Sequence, residues 1–318
     1  MTQENNISKR CQELTEKVIA RISQVIVGKE PVLKKLLISL LSRGHVLIED
    51  VPGIGKTTIV NALARSVNLK FQRIQFTPDL MPSDVTGFNL YNPKKGEFVF
   101  QEGAINTQIL LADEINRSSP RTQSALLEAM QEGQVTVEGK TYKLPEPFMV
   151  LATQNPIDQV GTYPLPEAQL DRFMMRLSIG YPSLEEEMDI VSLAPTRNTG
   201  REIEPVLGQE EILWMQDQVR KVFVEDSVKT YILKLCRSTR DHELIELGAS
   251  PRASQMLLTA SCALALLNGR DYVIPDDVKE LAHDILDHRI ILKPQARGKG
   301  YRDYDLIEEV ITSTVAPR

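Results

Sequence analysis

The sequence predicts an α/β protein, with a parallel sheet in its first part and a domain built from helices in its second part. Three observations lead to this fold class. Apolar runs of strand length alternate with amphipathic helical stretches up to residue 179. The first run continues into a helix through a glycine-rich turn, and from residue 209 onward only helical periodicity is found.

Bulk properties predict a soluble protein of a reducing compartment. At 318 residues the chain is long enough for about two domains. Its 42% hydrophobic and 25% charged residues are ordinary for a globular protein with a core. The formal net charge of −6 argues against broad electrostatic binding to nucleic acid or acidic membranes. Three separated cysteines, a polar N-terminus and the lack of an apolar run of about 18 residues predict a cytoplasmic protein without a membrane span.

The central motif is the stretch at residues 45–58, where an apolar run of strand length turns into a helix. Glycines let backbone N–H groups approach phosphates, and the helix N-terminus adds a positive dipole end. Lys56 is expected to reach the β- and γ-phosphates, and the Thr57 hydroxyl to bind Mg²⁺. The full motif has a further glycine where this chain has Asp50. The predicted nucleotide-binding residues of the loop are Pro52, Gly53, Ile54, Gly55, Lys56, Thr57 and Thr58.

Two amphipathic helices are predicted before this loop, at residues 11–24 and 31–41. The short turn between them contains Val27 and Gly28. An apolar turn just ahead of the first strand is well placed to cover an adenine ring, so both residues are candidates for contact with the base. Simple packing in the core explains the same pattern, and the sequence does not decide between the two.

A second chemical site follows the apolar run at residues 109–112, which ends in Asp113 and Glu114. Ligands gather at the carboxyl ends of strands in parallel sheets. Asp113 is expected to hold Mg²⁺ through water, complementing Thr57, and Glu114 to act as general base on the attacking water. Many strands end in acids, so the pair is specific only in combination with the phosphate-binding loop upstream.

The remaining strands divide into sheet candidates and hairpins. Two hairpins are predicted, one at residues 89–100 with a polar tip and one at residues 134–144 with a central glycine. Lys94 and Lys95 at the first tip can face a partner, although a solvated turn is the simpler explanation. Three more strand candidates complete a set of five sheet strands: residues 71–77, which alternate between apolar and polar, and residues 148–152 and 176–179.

Two polar residues stand near strand ends. Asn155 follows the strand beside the carboxylate strand, where its amide is placed to orient water or contact a γ-phosphate. A turn-capping asparagine before Pro156 is the alternative. Arg172 lies beside Asp171 in a short predicted helix, and on these residues alone an ordinary surface ion pair is expected.

The second half is predicted to be helical, with a first domain at residues 1–194, a polar connector at 195–208 and a helical domain at 209–318. Arg252 lies in the first turn of a helix capped by Ser250. A cation there opposes the helix dipole, so a compensating anion is expected, either a phosphate or a neighbouring carboxylate. The histidines lack the spacing of a zinc site.

Five segments together resemble the AAA+ ATPases, and within them the MoxR family. They are E-D-V-P-G-I-G-K-T, L-L-A-D-E-I-N-R, T-Q-S-A-L-L-E-A-M-Q-E-G, A-T-Q-N-P-I-D-Q-V-G-T-Y-P-L-P-E-A-Q-L-D-R-F and G-A-S-P-R-A. Two positions depart from the family pattern. Asp50 replaces the first loop glycine, and Asn106 stands where relatives usually carry an aromatic residue, which can alter the packing of the insertion hairpin.

The resemblance implies a P-loop AAA+ core with a five-stranded parallel sheet and two β-hairpin insertions, followed by a small all-α lid domain. An arginine finger can supply about 10³–10⁵ in rate, so activity is expected to need a ring, with a hexamer as the expected size. The implied roles are Walker A for Lys56 and Thr57, Walker B for Asp113 and Glu114, sensor 1 for Asn155, sensor 2 for Arg252, and arginine finger on the neighbouring subunit's ATP for Arg172.

The resemblance also implies a function: Mg²⁺-dependent ATP hydrolysis that drives remodelling or maturation of a protein client, with a von Willebrand factor A domain protein as partner. Three alternatives stay open. A nucleic-acid motor or loader is opposed by the net charge of −6 but kept open by lysines at the hairpin tips, Lys140 among them. A metal-chelatase subunit shares this architecture. A nucleotide-gated scaffold without turnover is opposed by the intact Glu114.

Overall fold

The computed structural model describes residues 3–51, 53–155, 161–193 and 203–317. Its strands, in chain order, are β1 (Val46–Glu49), β2 (Phe71–Gln75), β3 (Gly87–Asn92), β4 (Glu97–Glu102), β5 (Ile109–Asp113), β6 (Gln134–Val137), β7 (Lys140–Lys143), β8 (Met149–Gln154), β9 (Met175–Leu177), β10 (Ile245–Leu247) and β11 (Ile291–Leu292). Its helices are α1 (Gln3–Ser23), α2 (Glu30–Leu41), α3 (Lys56–Ser66), α4 (Pro82–Thr86), α5 (Pro120–Glu132), α6 (Glu167–Leu170), α7 (Leu184–Leu193), α8 (Gln209–Val219), α9 (Asp226–Asp241), α10 (Pro251–Leu267), α11 (Pro275–Leu286), α12 (Pro294–Gly298) and α13 (Asp303–Ser313).

Five strands form one parallel sheet in the spatial order β2–β5–β8–β1–β9. In its centre, Val46 of β1 lies opposite Leu151 of β8 on one side and Met175 of β9 on the other. Leu111 of β5 lies opposite Arg73 of β2 and, across its other edge, opposite Leu151. Because all five strands run in the same direction, the residues that follow β1, β5 and β8 meet at one edge of the sheet. The predicted five-stranded parallel sheet is confirmed.

The two faces of the sheet are buried by different layers, because alternate residues of a strand point to opposite faces. Leu111 belongs to a hydrophobic cluster that includes residues of α1, α2 and α3 and continues into helices α8 to α13. Leu110 belongs to a second cluster, with residues of α4, α5 and β6. The helical lid is therefore joined to one face of the core by a continuous apolar interior.

Two helices that frame the functional region begin with the same local signal, a serine followed by proline. Ser119 accepts a hydrogen bond from the backbone N–H of Thr122 at the start of α5. Ser250 does the same for Ala253 at the start of α10. Serine supplies the missing acceptor for a free helix N–H, and proline at the first helical position loses no hydrogen bond.

Both predicted hairpins are confirmed, since β3 pairs with β4 and β6 pairs with β7 in antiparallel register. The Phe100 ring of the first hairpin stacks on the Tyr142 ring of the second, with centroids 3.9 Å apart. Asn106 lines a cleft of about 390 Å³ between the hairpins. The residue that departs from the family pattern thus lies where the two insertions meet.

The expectation of helices alone after residue 209 is wrong in one detail. β10 and β11 form a short antiparallel pair, with Ile245 opposite Leu292. Strands of three and two residues are too short to produce a detectable alternation of polar and apolar residues. Of the predicted connector, residues 195–202 lie outside the described residues, and its limits stay a prediction. Among the described helices, none is long and apolar enough to cross a membrane.

Candidate functional site

A cleft of about 390 Å³ opens at the edge of the sheet where β1, β5 and β8 end. The residues that line it come from the glycine-rich loop, the start of α3, the edge strand β2 and the carboxyl ends of β5 and β8. They are Gly53, Gly55, Lys56, Thr57, Thr58, Arg73, Gln75, Asp113, Glu114 and Asn155. The structure therefore brings together most of the residues that the sequence analysis assigns to phosphate, metal and water.

The loop before α3 has the backbone of an anion-binding turn. Gly53 has a φ of +89° and Gly55 a φ of +86°, conformations that L side chains rarely adopt. No atom lies within 4 Å of a Cβ built at either position, so the space above both glycines is open. Gly55 caps α3 without a side-chain acceptor, which leaves the first N–H groups of the helix available to an anion. Pro52 lies outside the described residues.

Lys56 is the first residue of α3, and its ammonium group points back over the loop. Its Nζ atom donates a hydrogen bond to the backbone carbonyl of Asp50 at 2.7 Å. Burial lowers the pKa of Lys56, while the negative charges of Asp50, Asp113 and Glu114 act in the opposite direction. The ammonium group thus lies in a field set by three acids, and an added phosphate would compete with them for it.

Asp50, the departure from the loop glycine, has a structural role that the sequence did not reveal. Its side chain is only 8% exposed. Its carboxylate accepts hydrogen bonds from the Ser178 hydroxyl at 2.7 Å, from the Ile179 N–H at 2.5 Å and from the Gly180 N–H at 3.3 Å. Asp50 therefore ties the entrance of the loop to the segment that follows β9.

The two acids at the end of β5 are fixed by Thr153 of the neighbouring strand. The Thr153 hydroxyl donates to one oxygen of Asp113 at 2.6 Å and accepts from the backbone N–H of Glu114 at 2.8 Å. Glu114 has a φ of +55°, in the left-handed region that non-glycine residues rarely occupy. Such a conformation persists only where the surroundings impose it, and it is frequent at functional sites.

Arg73 and Gln75 of β2 are site residues that the sequence analysis missed. Gln75 donates to the Glu114 carboxylate at 2.6 Å, and Arg117 approaches the same oxygen at 3.3 Å. Arg73 pairs with Asp113 at 2.6 Å and donates to the Gln75 amide oxygen at 3.1 Å. Residues 71–77 were predicted only as a strand. Their alternation puts Arg73 and Gln75 on one face, but only the pairing of β2 with β5 brings them to the acids.

The side chains in the cleft fit a magnesium nucleotide better than a metal ion alone. The Thr57 hydroxyl and the Asp113 carboxylate are oxygen ligands of the type that Mg²⁺ prefers. Thr57 lines the cleft, where its hydroxyl is placed to act as a ligand. No group of three or more histidine, cysteine, aspartate or glutamate side chains that could hold a metal occurs among the described residues, so a metal ion here would need phosphate and water as further ligands.

Val27 and Gly28, the predicted contacts of the base, do not line this cleft. Val27 is half-buried, and Gly28 has a φ of +71°. The side chain of Glu186 packs against Gly28 so closely that a Cβ atom there would lie 1.6 Å from its Oε1 atom. The start of α7 therefore contacts the turn at Gly28, and contact of the turn with a base stays a prediction.

Arg172 lies at the opposite edge of the sheet from the cleft. It precedes β9, which runs parallel to β1 with Met175 opposite Val46. At about 3.3 Å per residue, the four residues of β1 alone separate the two edges by about 13 Å. The Arg172 guanidinium donates to the backbone carbonyl of Leu127 at 2.9 Å. The ion pair expected with Asp171 is absent, and within the described residues Arg172 forms no other.

Arg252 is found on the same side as Arg172. The Ser250 hydroxyl, two residues ahead of it, donates to both carboxylate oxygens of Asp171, at 3.1 and 3.0 Å. This contact places the first turn of α10 against the segment that carries Arg172, so Arg252 does not line the cleft of its own chain. Across the described ranges Arg252 forms no ion pair, so no carboxylate there supplies the expected anion, and a phosphate stays the predicted partner.

Comparison with known proteins identifies the family. Residues 45–175 match the model of the ATPase family associated with various cellular activities, and residues 237–310 match the AAA lid domain. The uncharacterized protein YeaC of Bacillus subtilis is 50% identical over 96% of this chain and 95% of its own length. Chaperone MoxR1 of Mycobacterium tuberculosis is 41% identical over 95% of this chain and 82% of its own. The crystal structure of a candidate ATPase from Cytophaga hutchinsonii has a TM-score of 0.92 and 41% identity, covering 98% of both chains. This chain belongs to the MoxR family of AAA+ ATPases.

Proposed function

We propose that the protein hydrolyses ATP in a ring whose nucleotide sites are each completed by the neighbouring subunit. One observation carries this proposal. Lys56, Thr57 and Glu114 share one cleft, whereas Arg172 and Arg252 lie at the opposite edge of the same sheet. A head-to-tail interface, which closes into a ring, brings the arginine edge of one subunit against the cleft of the next.

Each residue of the cleft has a defined task in this reaction. The glycine loop, the N-terminus of α3 and Lys56 bind the β- and γ-phosphates. Thr57 and Asp113 hold Mg²⁺, which neutralises phosphate charge when it is bound. Glu114 accepts a proton from the attacking water, and Asn155 orients that water or the γ-phosphate. Gln75 and Arg117 hold the Glu114 carboxylate in the cleft.

The two arginines act on the nucleotide of the neighbouring subunit. Arg172 stabilises the negative charge that develops on the transferred phosphoryl group, as arginine fingers do. Arg252 lies on the same side of the subunit, so the interface that delivers Arg172 also delivers Arg252 to that site. The absence of ion pairs for both cations within the described residues supports this role, because their natural partner is an anion on another chain.

The test is ATP turnover per subunit against protein concentration, for the wild type and for Arg172→Ala. We expect wild-type turnover to rise cooperatively with concentration as rings assemble. Arg172→Ala is expected to bind ATP normally but to hydrolyse it at least about 10³-fold more slowly, since a finger supplies about 10³–10⁵ in rate. Turnover that does not depend on assembly, together with normal activity of Arg172→Ala, would exclude the proposal.

For the biological role, we propose chaperone-like remodelling or maturation of a protein client, with a von Willebrand factor A domain protein as partner. The name of the relative MoxR1, a chaperone, supports a protein client. The first hairpin exposes apolar side chains suited to such contact, with Phe98 at 68% and Leu90 at 54% exposure. Rings of Glu114→Gln held with ATP should retain a purified von Willebrand factor A domain protein in sedimentation, and a partner that binds equally without nucleotide would contradict coupling.

The hairpin lysines give little support to nucleic-acid binding. Lys95 approaches Glu97 at 3.8 Å, and the Lys140 ammonium lies 5.2 Å from the centre of the Tyr142 ring. Both cations therefore have a partner of their own within the hairpin that carries them. Duplex DNA binding with a steep dependence on salt concentration would reverse this assessment.

A further inference from the structure

Arg289 is a buried cation next to the arginine edge, and no role has been assigned to it so far. It lies between α11 and β11, and its side chain is 1% exposed. Its Nε atom donates to the Asp171 carboxylate at 2.8 Å, and its Nη2 atom donates to the backbone carbonyls of Asp171, at 3.1 Å, and of Phe173. Its Nη1 atom donates to the carbonyl of Met174 at 3.2 Å. One side chain from the lid thus binds the backbone on both sides of Arg172.

The carboxylate of Asp171 connects this cation to the other trans-acting arginine. It accepts hydrogen bonds from Arg289 and from the Ser250 hydroxyl. Ser250 is also the cap of α10, the helix whose first turn contains Arg252. Arg172 is the residue that follows Asp171 in the chain. Arg252 lies two residues after Ser250, whose hydroxyl is bound to the Asp171 carboxylate.

Burying a charged group costs free energy unless the group is paired and hydrogen-bonded. The Arg289 guanidinium meets this condition through its hydrogen bonds to Asp171 and to backbone carbonyls. Burial lowers the pKa of Arg289 to about 10, while the charge of Asp171 acts in the opposite direction. The guanidinium is therefore still charged at neutral pH. Buried ion pairs often contribute little net stability compared with apolar packing, and their best supported use is to fix geometry.

We infer that Arg289, acting through Asp171, is a positioning residue for hydrolysis in the neighbouring subunit. It holds Arg172 and Arg252 as one unit, which the subunit presents to the next cleft. This inference rests on the proposed function, in which both arginines act across the interface. It predicts that a defect at Arg289 appears in the site of the neighbour, while the cleft of the altered subunit stays competent.

The first test is Arg289→Lys, which keeps the positive charge but loses the planar fork of donors. We expect kcat to fall about 10-fold to 100-fold, because a displacement of about 1 Å can have that effect, with KM for ATP and ring assembly unchanged. Arg270→Lys is the matched control. Arg270 pairs with the Asp277 carboxylate inside the lid through two hydrogen bonds, at 2.8 and 2.5 Å, without contact to the arginine edge. Its kcat should be close to that of the wild type.

The second test mixes subunits, which separates positioning from general damage. Glu114→Gln subunits lack the general base but carry an intact arginine edge. In equal mixtures, Arg289→Lys subunits beside Glu114→Gln neighbours should regain full activity. The mixture should then reach about a quarter of wild-type turnover, above the mean of the two separate variants, since each site depends on one neighbour. Arg172→Ala mixed with Glu114→Gln is the reference for transfer across the interface.

Three results would overturn the inference, and they are distinguishable from failure of the proposed function. Wild-type kcat for Arg289→Lys, or an equal loss in Arg270→Lys, removes the special role of Arg289. Recovery in the Arg172→Ala mixture without recovery in the Arg289→Lys mixture shows that Arg289 acts within its own subunit. If neither mixture recovers, action across the interface is wrong. Should Arg289→Lys fail to assemble, Ser250→Ala takes its place, with a smaller loss and the same recovery expected.

Discussion

The two edges of the sheet both carry arginine and aspartate, but they pair them differently. At the cleft edge, Arg73 pairs with Asp113, and the arginine side chain is 48% exposed. At the opposite edge, Asp171 pairs with Arg289, which is 1% exposed, while the adjacent Arg172 has no ion pair among the described residues. At the cleft edge, a bound ligand can therefore replace the exposed arginine as the partner of Asp113. At the opposite edge, the buried Arg289 takes the Asp171 carboxylate as its partner. The neighbouring Arg172 is thereby left available for an anion on another chain.

The largest effect within the cleft is expected for Glu114→Gln. Removal of the general base should lower turnover by about 10²–10⁴ while ATP binding is retained, since general base catalysis contributes on that scale. Turnover and equilibrium binding of a fluorescent ATP analogue would be measured on the same preparation. Glu128→Gln, an exposed acid on α5, is the control and should be normal. Full activity of Glu114→Gln would move the base to another residue.

The contrast in burial predicts a difference in stability between the two aspartates. Asp171→Asn leaves the buried Arg289 without its counter-charge and should reduce the free energy of unfolding by about 3–5 kcal/mol. Asp113→Asn removes a pair whose arginine is half exposed and should change it by less than about 1 kcal/mol. Urea unfolding of both variants checks this. Equal losses would mean that the two edges do not differ in the way described.

The smallest effect is expected for Arg73, the arginine that pairs with Asp113 at the cleft edge. The Arg73 guanidinium lies 2.6 Å from Asp113, where it competes with a metal ion for the same carboxylate. Arg73→Gln should therefore lower the Mg²⁺ concentration for half-maximal turnover by up to about fivefold, the scale of a partly exposed ion pair. Arg65→Gln, at an exposed arginine of α3 that contacts Asn61, is the control. A higher Mg²⁺ requirement in Arg73→Gln would show instead that Arg73 supports metal binding.

Most residues of the cleft could be predicted from the sequence because they share one position, the carboxyl end of a parallel strand. Lys56, Asp113 and Asn155 each follow an apolar strand, and parallel strands bring their carboxyl ends to one edge. Arg73 and Gln75 escaped prediction because their role depends on which strand lies beside β2. Any edge strand shows the same alternation of polar and apolar residues. The sequence therefore predicts that residues 71–77 form a strand, but not that this strand pairs with β5.

The side-chain contacts at the opposite edge could not be predicted from the sequence for a different reason. Asp171 and Arg289 are 118 residues apart, and the residue adjacent to Asp171 is another arginine that was the simpler partner. Asp50 is a similar case, because its acceptor role depends on backbone N–H groups of residues 178–180. Local patterns identify elements and strand ends, whereas these side chains are fixed by tertiary contacts between distant segments.

The position of β9 has a consequence for communication around a ring. Just beyond its carboxyl end, Ser178 and Ile179 are bound to Asp50 at the entrance of the phosphate loop, and just before its start lies Arg172. The three residues of β9, which pair with β1, span about 10 Å of the path between these two points. If Arg172 acts on the nucleotide of the next subunit as proposed, a shift of the phosphate loop in one subunit is expected to reach that neighbouring site through β9.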